Sequence, residues 1–239
     1  MKYLYGPVAS RRLGLSLGIS LTPYKVCSFD CVYCQLGKTT FRTTVRKEYV
    51  CAQEVVDELK TWFVNHPEEA KKLDFLTFSG SGEPTLNVRI GWLIAQIKQI
   101  TGIPLVLLTN SADFIDPQVR RDVLEVDVIA PSLDAVMQDV FVKIDRPAPG
   151  INVDAVIEGL VALRKEFKGK IWLEVMLIKG INDGQEHLRK LKEVIDRIAP
   201  DKIQLNSPVR ATAEPDIHCV DKNELEEIKA FLGGKCEIV

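Results

Sequence analysis

The chain has 239 residues, 46% hydrophobic and 27% charged, with a formal net charge of −2. This balance suits one well-filled domain and gives no whole-chain attraction to nucleic acid or an acidic membrane surface. No apolar run approaches the roughly 18 residues of a membrane span, so no membrane partner is expected. The opening Met1-Lys-Tyr-Leu-Tyr-Gly-Pro7 lacks the apolar core of a secretory signal. Six cysteines without such a signal predict a reducing, cytoplasmic setting.

Hydrophobic periodicity predicts an alternating series of elements. A strand over Ser16–Leu21 runs into a cysteine-bearing loop, then a helix with Val55, Leu59, Trp62 and Phe63 on one face. A strand over Leu73–Phe78 leads through Ser79-Gly-Ser-Gly-Glu-Pro84 to a helix striped by Ile90, Leu93, Ile94 and Ile97. Strand Pro104–Thr109 precedes a helix around Pro117–Leu124. Strand Val126–Ala130 precedes a helix marked by Val156, Ile157, Leu160 and Val161. Strand Ile171–Ile178 precedes the stripe Leu188, Leu191, Val194, Ile195 and Ile198. Strand Lys202–Asn206 precedes a last helix carrying Leu225, Ile228, Phe231 and Leu232. Such alternation means parallel βα units, hence an α/β fold. Both a doubly wound sheet and a partial barrel fit this series, and in either form ligands bind at the carboxyl ends of the strands.

The unusual polar residues fall at that end. They are the cysteine loop, the Ser79–Pro84 segment, Asn110 and Ser111, Ser132 and Asp134, Glu174 within an otherwise apolar strand, Asn182, Asn206 and Arg210. Asn110, Ser132 and Asp134 suit a ligand's hydroxyl or carboxylate groups, and equally suit helix caps and turns. Glu174 either faces the mouth or pairs with a cation on an open edge. Met176 is expected in the core. Asn182 and Asn206 are pocket or turn residues. Arg210 fits a carboxylate or phosphate, or a solvated loop. The flanking basic residues Arg11, Arg12, Lys38, Arg42, Arg46 and Lys47 likewise suit a phosphate-bearing substrate or a solvated loop.

Cys27-Ser-Phe-Asp-Cys31-Val-Tyr-Cys34 carries the strongest chemical signal. Three thiolates on one short loop can hold a four-iron, four-sulfide cube. Such clusters normally take four cysteines, so one iron is left open to a ligand. Structural zinc needs four ligands, yet no second Cys or His pair accompanies the triplet. A redox dithiol at Cys31–Cys34 leaves Cys27 unexplained. Three unrelated buried thiols would have to cluster by chance. Of the other cysteines, Cys51 and Cys236 read as structural. Cys219 sits past the last strand, where a catalytic thiol or hydrogen-atom donor could close the mouth.

This spacing, with aromatic Tyr33 before the last cysteine, resembles the signature of radical S-adenosylmethionine (radical SAM) enzymes. The resemblance implies a partial (β/α)6 TIM-type barrel, with a [4Fe-4S] cluster on Cys27, Cys31 and Cys34. It also implies S-adenosylmethionine on the open iron, cleaved by one electron to a 5′-deoxyadenosyl radical that abstracts hydrogen from a substrate. Ser79–Pro84 resembles the family's Gly-Gly-Glu segment, with a serine separating the glycines. That likeness puts Gly80, Ser81, Gly82 and Glu83 at the methionine end of the cofactor. By position, Tyr33, Asn110, Ser132, Asp134, Glu174 and Asn206 are further cofactor-binding candidates.

The stretch from Gly6 to Gly37 resembles a branch grouped with the enzymes that build the wyosine base on tRNA. Those enzymes carry extra upstream cysteines for a second cluster, and here no cysteine precedes Cys27. The expectation is a single radical SAM domain over 1–239, with a core of about 14–210 and a segment 211–239 closing the barrel. Its electron donor is expected to be of the flavodoxin or ferredoxin kind. The substrate is expected to be a small molecule or a nucleotide, an RNA base included. Activation of a glycyl-radical partner enzyme is the alternative, and a non-enzymatic iron–sulfur electron carrier or scaffold is the second.

Overall fold

The structure is a computed structural model and describes residues 1–239. The chain opens with strands β1 (Leu4–Ser10) and β2 (Gly14–Ile19), followed by two short strands, β3 (Val26–Cys27) and β4 (Phe41–Arg42). Helices α1 (Ala52–Asn65) and α2 (Pro67–Ala70) lead to β5 (Phe75–Phe78), α3 (Ile90–Ile100), β6 (Leu105–Thr109), α4 (Pro117–Asp122) and β7 (Val128–Pro131). Then come α5 (Gln138–Asp145), α6 (Val153–Glu166), β8 (Lys170–Met176), α7 (Gln185–Ile198), β9 (Lys202–Asn206), α8 (Lys222–Leu232) and β10 (Cys236–Ile238). No helix is long and apolar enough to cross a membrane.

The main sheet runs β1-β2-β5-β6-β7-β8-β9-β10, and only the β1–β2 pair is antiparallel. The six expected strands are therefore its middle, β2 and β5 to β9, and each sits beside its chain neighbour. A doubly wound sheet reverses its strand order at a switch point. This one never does, so the βα units curl in one direction as a partial barrel. The two end strands do not pair with each other, and the barrel stays open.

The edge strands were not expected. β1 contains Gly6 and Pro7, which read as strand breakers. It forms a hairpin with β2 whose register slips between Tyr5 and Val8. β10 is three residues long, too short for a periodic signal. The short helix α5 was also missed. Strand β8 stops at Met176, and Ile178 makes only an isolated antiparallel bridge to Cys219.

Period-two alternation sorts the side chains. From β2 and β5, Leu17, Ile19, Leu76 and Phe78 point outward and are fully buried under the helices. The helix stripes meet them there, with Val55, Leu59, Leu93, Ile97 and Leu160 in the same core. Facing inward, Leu13, Val106, Val128 and Ala130 pack with Phe75, Leu108 and Trp172 into a separate apolar floor for the barrel. On the β2–β5 side the inner face is polar, with Ser16 hydrogen-bonded to Thr77.

One buried amide ties two of the mouth loops together. Asn182 Nδ2 donates to the carbonyls of Asp134 (2.7 Å) and Met176 (2.8 Å), and its Oδ1 accepts the Ile178 N–H at 2.7 Å. His187 on α7 braces this clamp, with Nδ1 2.9 Å from the Asn182 carbonyl and Nε2 3.2 Å from the Val136 N–H. A neutral ring protonated on Nδ1 satisfies both contacts, and burial holds its pKa below the usual histidine value. Asn182 is thus a structural residue between the loops after β7 and β8. Asn182→Ala leaves three buried backbone groups without partners and should cost about 2–4 kcal/mol by denaturant unfolding; a loss under about 1 kcal/mol would contradict this role.

Candidate active site

The cysteine loop leaves the sheet at Cys27 and is fixed by main-chain bonds on two sides. On one side Lys25 N–H donates to the Ser81 carbonyl at 2.6 Å and Glu83 N–H to the Val26 carbonyl at 3.1 Å. On the other, Asp30 and Val32 N–H donate to the carbonyls of Asp145 and Ile144 at 3.0 and 2.9 Å, and Ala148 N–H donates to Ser28 at 2.8 Å. Val32 packs with Ile144, Met176 and Ile178 in a small apolar cluster beneath the loop. Met176 is thus core, as expected. The C-terminal segment also reaches the loop: Glu214 N–H donates to the Val32 carbonyl at 3.1 Å, and the Glu214 carboxylate binds Arg146 and Lys38 at 2.5 and 3.3 Å.

All three loop cysteines are half-buried and unbridged. Cys27 Sγ lies 3.5 Å from both the Phe29 N–H and Asn110 Nδ2. Cys31 Sγ is 3.5 Å from Asp145 Oδ1, and Lys25 Nζ is 3.0 Å from Cys34 Sγ. Lys25 is itself buried, sits at φ +57°, and pairs with no carboxylate. Burial pushes the Cys27 thiol up to about 12 and the Cys31 thiol well above its ordinary value. A metal ligand must be a thiolate. Cys27 and Cys31 therefore hold their protons, and a bound cationic metal centre would have to displace them. No three His, Cys, Asp or Glu side chains converge on a single-ion site.

The glycine-rich segment lies against this loop. Gly80 adopts φ +101°, a conformation glycine accepts freely. A Cβ on Gly82 would collide with the Val26 carbonyl and the Thr22 hydroxyl. Ser81 N–H and Oγ meet Ser20 Oγ at 3.2 and 3.1 Å. Glu83 is buried and accepts four hydrogen bonds: from Asn110 N–H (2.8 Å), Thr85 N–H (3.1 Å), Thr85 Oγ1 (2.6 Å) and Thr109 Oγ1 (2.7 Å). Burial pushes its carboxyl up to about 7, with the donors opposing that rise. Glu83 thereby joins the carboxyl ends of β5 and β6.

Two cavities divide the remaining expected residues. A small one beside the cysteine loop is lined by Tyr33, Asn110, Ser132 and Asp134, together with Phe29 and Asp145. There Tyr33 OH donates to Asp134, whose other oxygen accepts the Met176 N–H at 2.7 Å. Asn110 Nδ2 reaches Ser28 Oγ at 2.9 Å, and the Ser132 carbonyl accepts Ser111 Oγ at 2.7 Å. Asp134 and Asp145 are both buried, and desolvation raises both carboxyl pKa values. The larger cavity, about 390 Å³, opens in the barrel mouth and touches Gly80 and Asn206. Glu174 forms an ion pair with Arg12 and lies 3.4 Å from Asn206 Nδ2. Cys219 is exposed and lines neither of these two cavities. Cys236 is buried on β10, whereas Cys51 is exposed at the start of α1, where its thiol caps nothing.

Sequence reasoning missed Lys25, Asp145 and Thr85, and placed Thr109 at the rim without its partner Glu83. Lys25 carries a usable signal, a cation two residues before the first cysteine. Asp145 lies more than 110 residues from Cys31 and gives none. The Arg12–Glu174 pair spans a separation of 162 residues. Glu174 was expected to pair with a cation or face the mouth, but its partner was not identified.

Residues 21–191 match the Radical SAM superfamily. A Brachyspira hyodysenteriae protein named GTPase Obg is 40% identical over 237 residues, covering 99% of this chain and 34% of that protein. A UPF0026 protein of Methanocaldococcus jannaschii is 35% identical over 214 residues, covering 90% of this chain and 66% of that one. The chain thus spans about a third of the first relative's length and just under two thirds of the second's. Among solved structures, TYW1 with a lysine–pyruvate adduct bound superposes with a TM-score of 0.66 at 19% identity, over 91% of this chain and 72% of that one. That likeness speaks to the fold, and it agrees with the open barrel and unreversed strand order. The family implies a [4Fe-4S] cluster and S-adenosylmethionine. On the matched residues, the three-cysteine loop and the barrel, the chain belongs to the radical SAM superfamily.

Proposed function

We propose that this protein is an enzyme that cleaves S-adenosylmethionine reductively at a [4Fe-4S] cluster on Cys27, Cys31 and Cys34, and uses the resulting radical on a substrate in the barrel mouth. The observation that carries this reading is the three-thiol loop, unbridged and locked by its backbone to the glycine-rich segment. A cluster held by these three cysteines would supply one electron to the cofactor's sulfonium, giving methionine and a 5′-deoxyadenosyl radical.

The chain's own residues do the rest. Gly80 and Gly82 let the segment after β5 press against Ser20 and the Val26 carbonyl, and the Glu83 carboxyl behind them holds the segment through Thr85, Thr109 and Asn110. Tyr33, Asn110, Ser132 and Asp134 line a cavity of about 10 Å³ beside the cysteine loop, room for no more than a water, so they bear on the cofactor by positioning the loop. Ser81, Glu174 and Asn206 complete the polar rim. Below it Leu13, Val106, Val128 and Ala130 form an apolar floor with no exchangeable proton of its own. Lys25 places a buried positive charge against Cys34 and so favours the more negative, reduced state of the site.

Anaerobic reconstitution, reduction and addition of S-adenosylmethionine should yield 5′-deoxyadenosine by chromatography. Cys27→Ala should abolish both cluster assembly and product, and cleavage retained in that variant would contradict the assignment. Replacing Lys25 with Met should move the cluster's midpoint potential to a more negative value in an EPR-monitored redox titration, with Lys25→Arg nearer the wild type. A potential unchanged in both would remove Lys25 from this role.

Glu83 makes the cluster-free protein sensitive to pH. Its carboxyl rises from the ordinary 4.5 to about 7 on folding. Its stabilising contribution is therefore full below pH 4.5 and lost as pH climbs through about 7, a swing of about 3 kcal/mol. Glu83→Gln should flatten this fall when denaturant unfolding is compared between mildly acidic and mildly alkaline buffer. Parallel pH profiles for wild type and variant would contradict it.

A further inference from the structure

The larger cavity has a charge character that the proposed cleavage does not require. Its walls come from distant parts of the chain: the β1–β2 hairpin, the inner faces of β2 and β5, the turn after the cysteine loop, and the segment after β9. Three arginines line it, Arg11 and Arg12 from the hairpin and Arg210 from the other side of the barrel, and no aspartate or glutamate does. Arg12 is already neutralised by Glu174. Arg11 makes no side-chain hydrogen bond or ion pair, and Arg210 reaches only the neutral Gln35 amide, at 3.2 Å. Two guanidinium groups without counter-charges thus share one polar cavity with the hydroxyls of Ser10, Thr77 and Ser79.

A guanidinium fork matches a phosphate or carboxylate oxygen pair, and uncompensated arginines in a concave site focus an attractive field on anions. Two free charges fit a group of charge near −2 better than a single carboxylate. We infer that Arg11 and Arg210 form a binding subsite for a phosphate monoester carried by the substrate. Because the cavity touches Gly80, the bound phosphate would anchor a substrate beside the glycine-rich segment. This inference rests on the reading of the barrel mouth as the place of reaction. It narrows the substrate to a phosphorylated molecule, leaving the wider range of uncharged small molecules aside.

Inorganic phosphate is the probe, titrated into cluster-loaded full-length protein and followed by phosphorus NMR. Saturable binding is expected, weakened at least fivefold in Arg11→Gln and in Arg210→Gln. Arg189→Gln, which removes an exposed charge on α7, should leave it unchanged. Thermal unfolding of each variant shows that it is folded, and Arg210→Lys should retain part of the affinity. Absent saturation in the wild type, or equal weakening by Arg189→Gln, would overturn the subsite. S-adenosylmethionine and its decarboxylated analogue, compared in the same variants, identify the source of the anion. If only the carboxylate-bearing cofactor loses affinity, and phosphate does not, the arginines hold the cofactor and the inference fails. Should phosphate bind as expected while wild-type protein forms no 5′-deoxyadenosine, the proposed cleavage fails and the anion site stands.

Discussion

A loop can present three sulfurs to a common ligand only if its own backbone is held by something else. Here that support is main-chain hydrogen bonding to two neighbours at once. The glycine-rich segment grips Lys25 and Val26 on one side, and residues 144–148 grip Ser28, Asp30 and Val32 on the other. Because these contacts use peptide groups, the cysteine side chains stay unbridged and free to bind. The same contacts bring Ser81, Gly82 and Glu83 beside the loop. The proposed cluster loop and cofactor edge are therefore one hydrogen-bonded unit, and Gly82 is required where its backbone meets the Val26 carbonyl.

Charge around that unit is arranged unevenly. Three buried carboxyls, Glu83, Asp134 and Asp145, surround the cysteine loop, and burial raises the pKa of each. One buried cation, Lys25, touches a sulfur. Without a metal group this collection is costly, because thiols and acids must keep their protons in a low-dielectric pocket. The proposed iron centre would offset that cost by taking the thiols as thiolates. The barrel mouth a short distance away has the opposite bias, with Arg11 and Arg210 uncompensated. Acids near the cluster and arginines in the mouth suggest that the two ends of the site hold chemically different partners.

Much of this was legible in the sequence where the signal is local. The cysteine spacing needs only eight residues to be read, and the six parallel strands announce themselves as short apolar runs with helical stripes between them. Periodicity alone left doubly wound sheet and barrel open, since the choice depends on neighbour order in space, and it was the resemblance carried by the cysteine motif that pointed to the partial barrel found here. The β1 strand was hidden by Gly6 and Pro7, and β10 by its length. Among site residues, Glu83 was found because it follows two glycines at the end of a strand. Asp145 and Arg12 were not placed, because their partners Cys31 and Glu174 lie more than a hundred residues away. Asn182 sits in a turn-like stretch, and only the structure shows its amide joining two loops.

The central claim is an iron that the protein leaves unligated and the cofactor fills. Electron–nuclear double resonance on the reduced, cluster-loaded protein addresses it directly, using S-adenosylmethionine labelled with nitrogen-15 at the amino group. A hyperfine coupling between that nitrogen and the cluster spin is the predicted result. A cluster signal that the labelled cofactor leaves untouched would contradict the account.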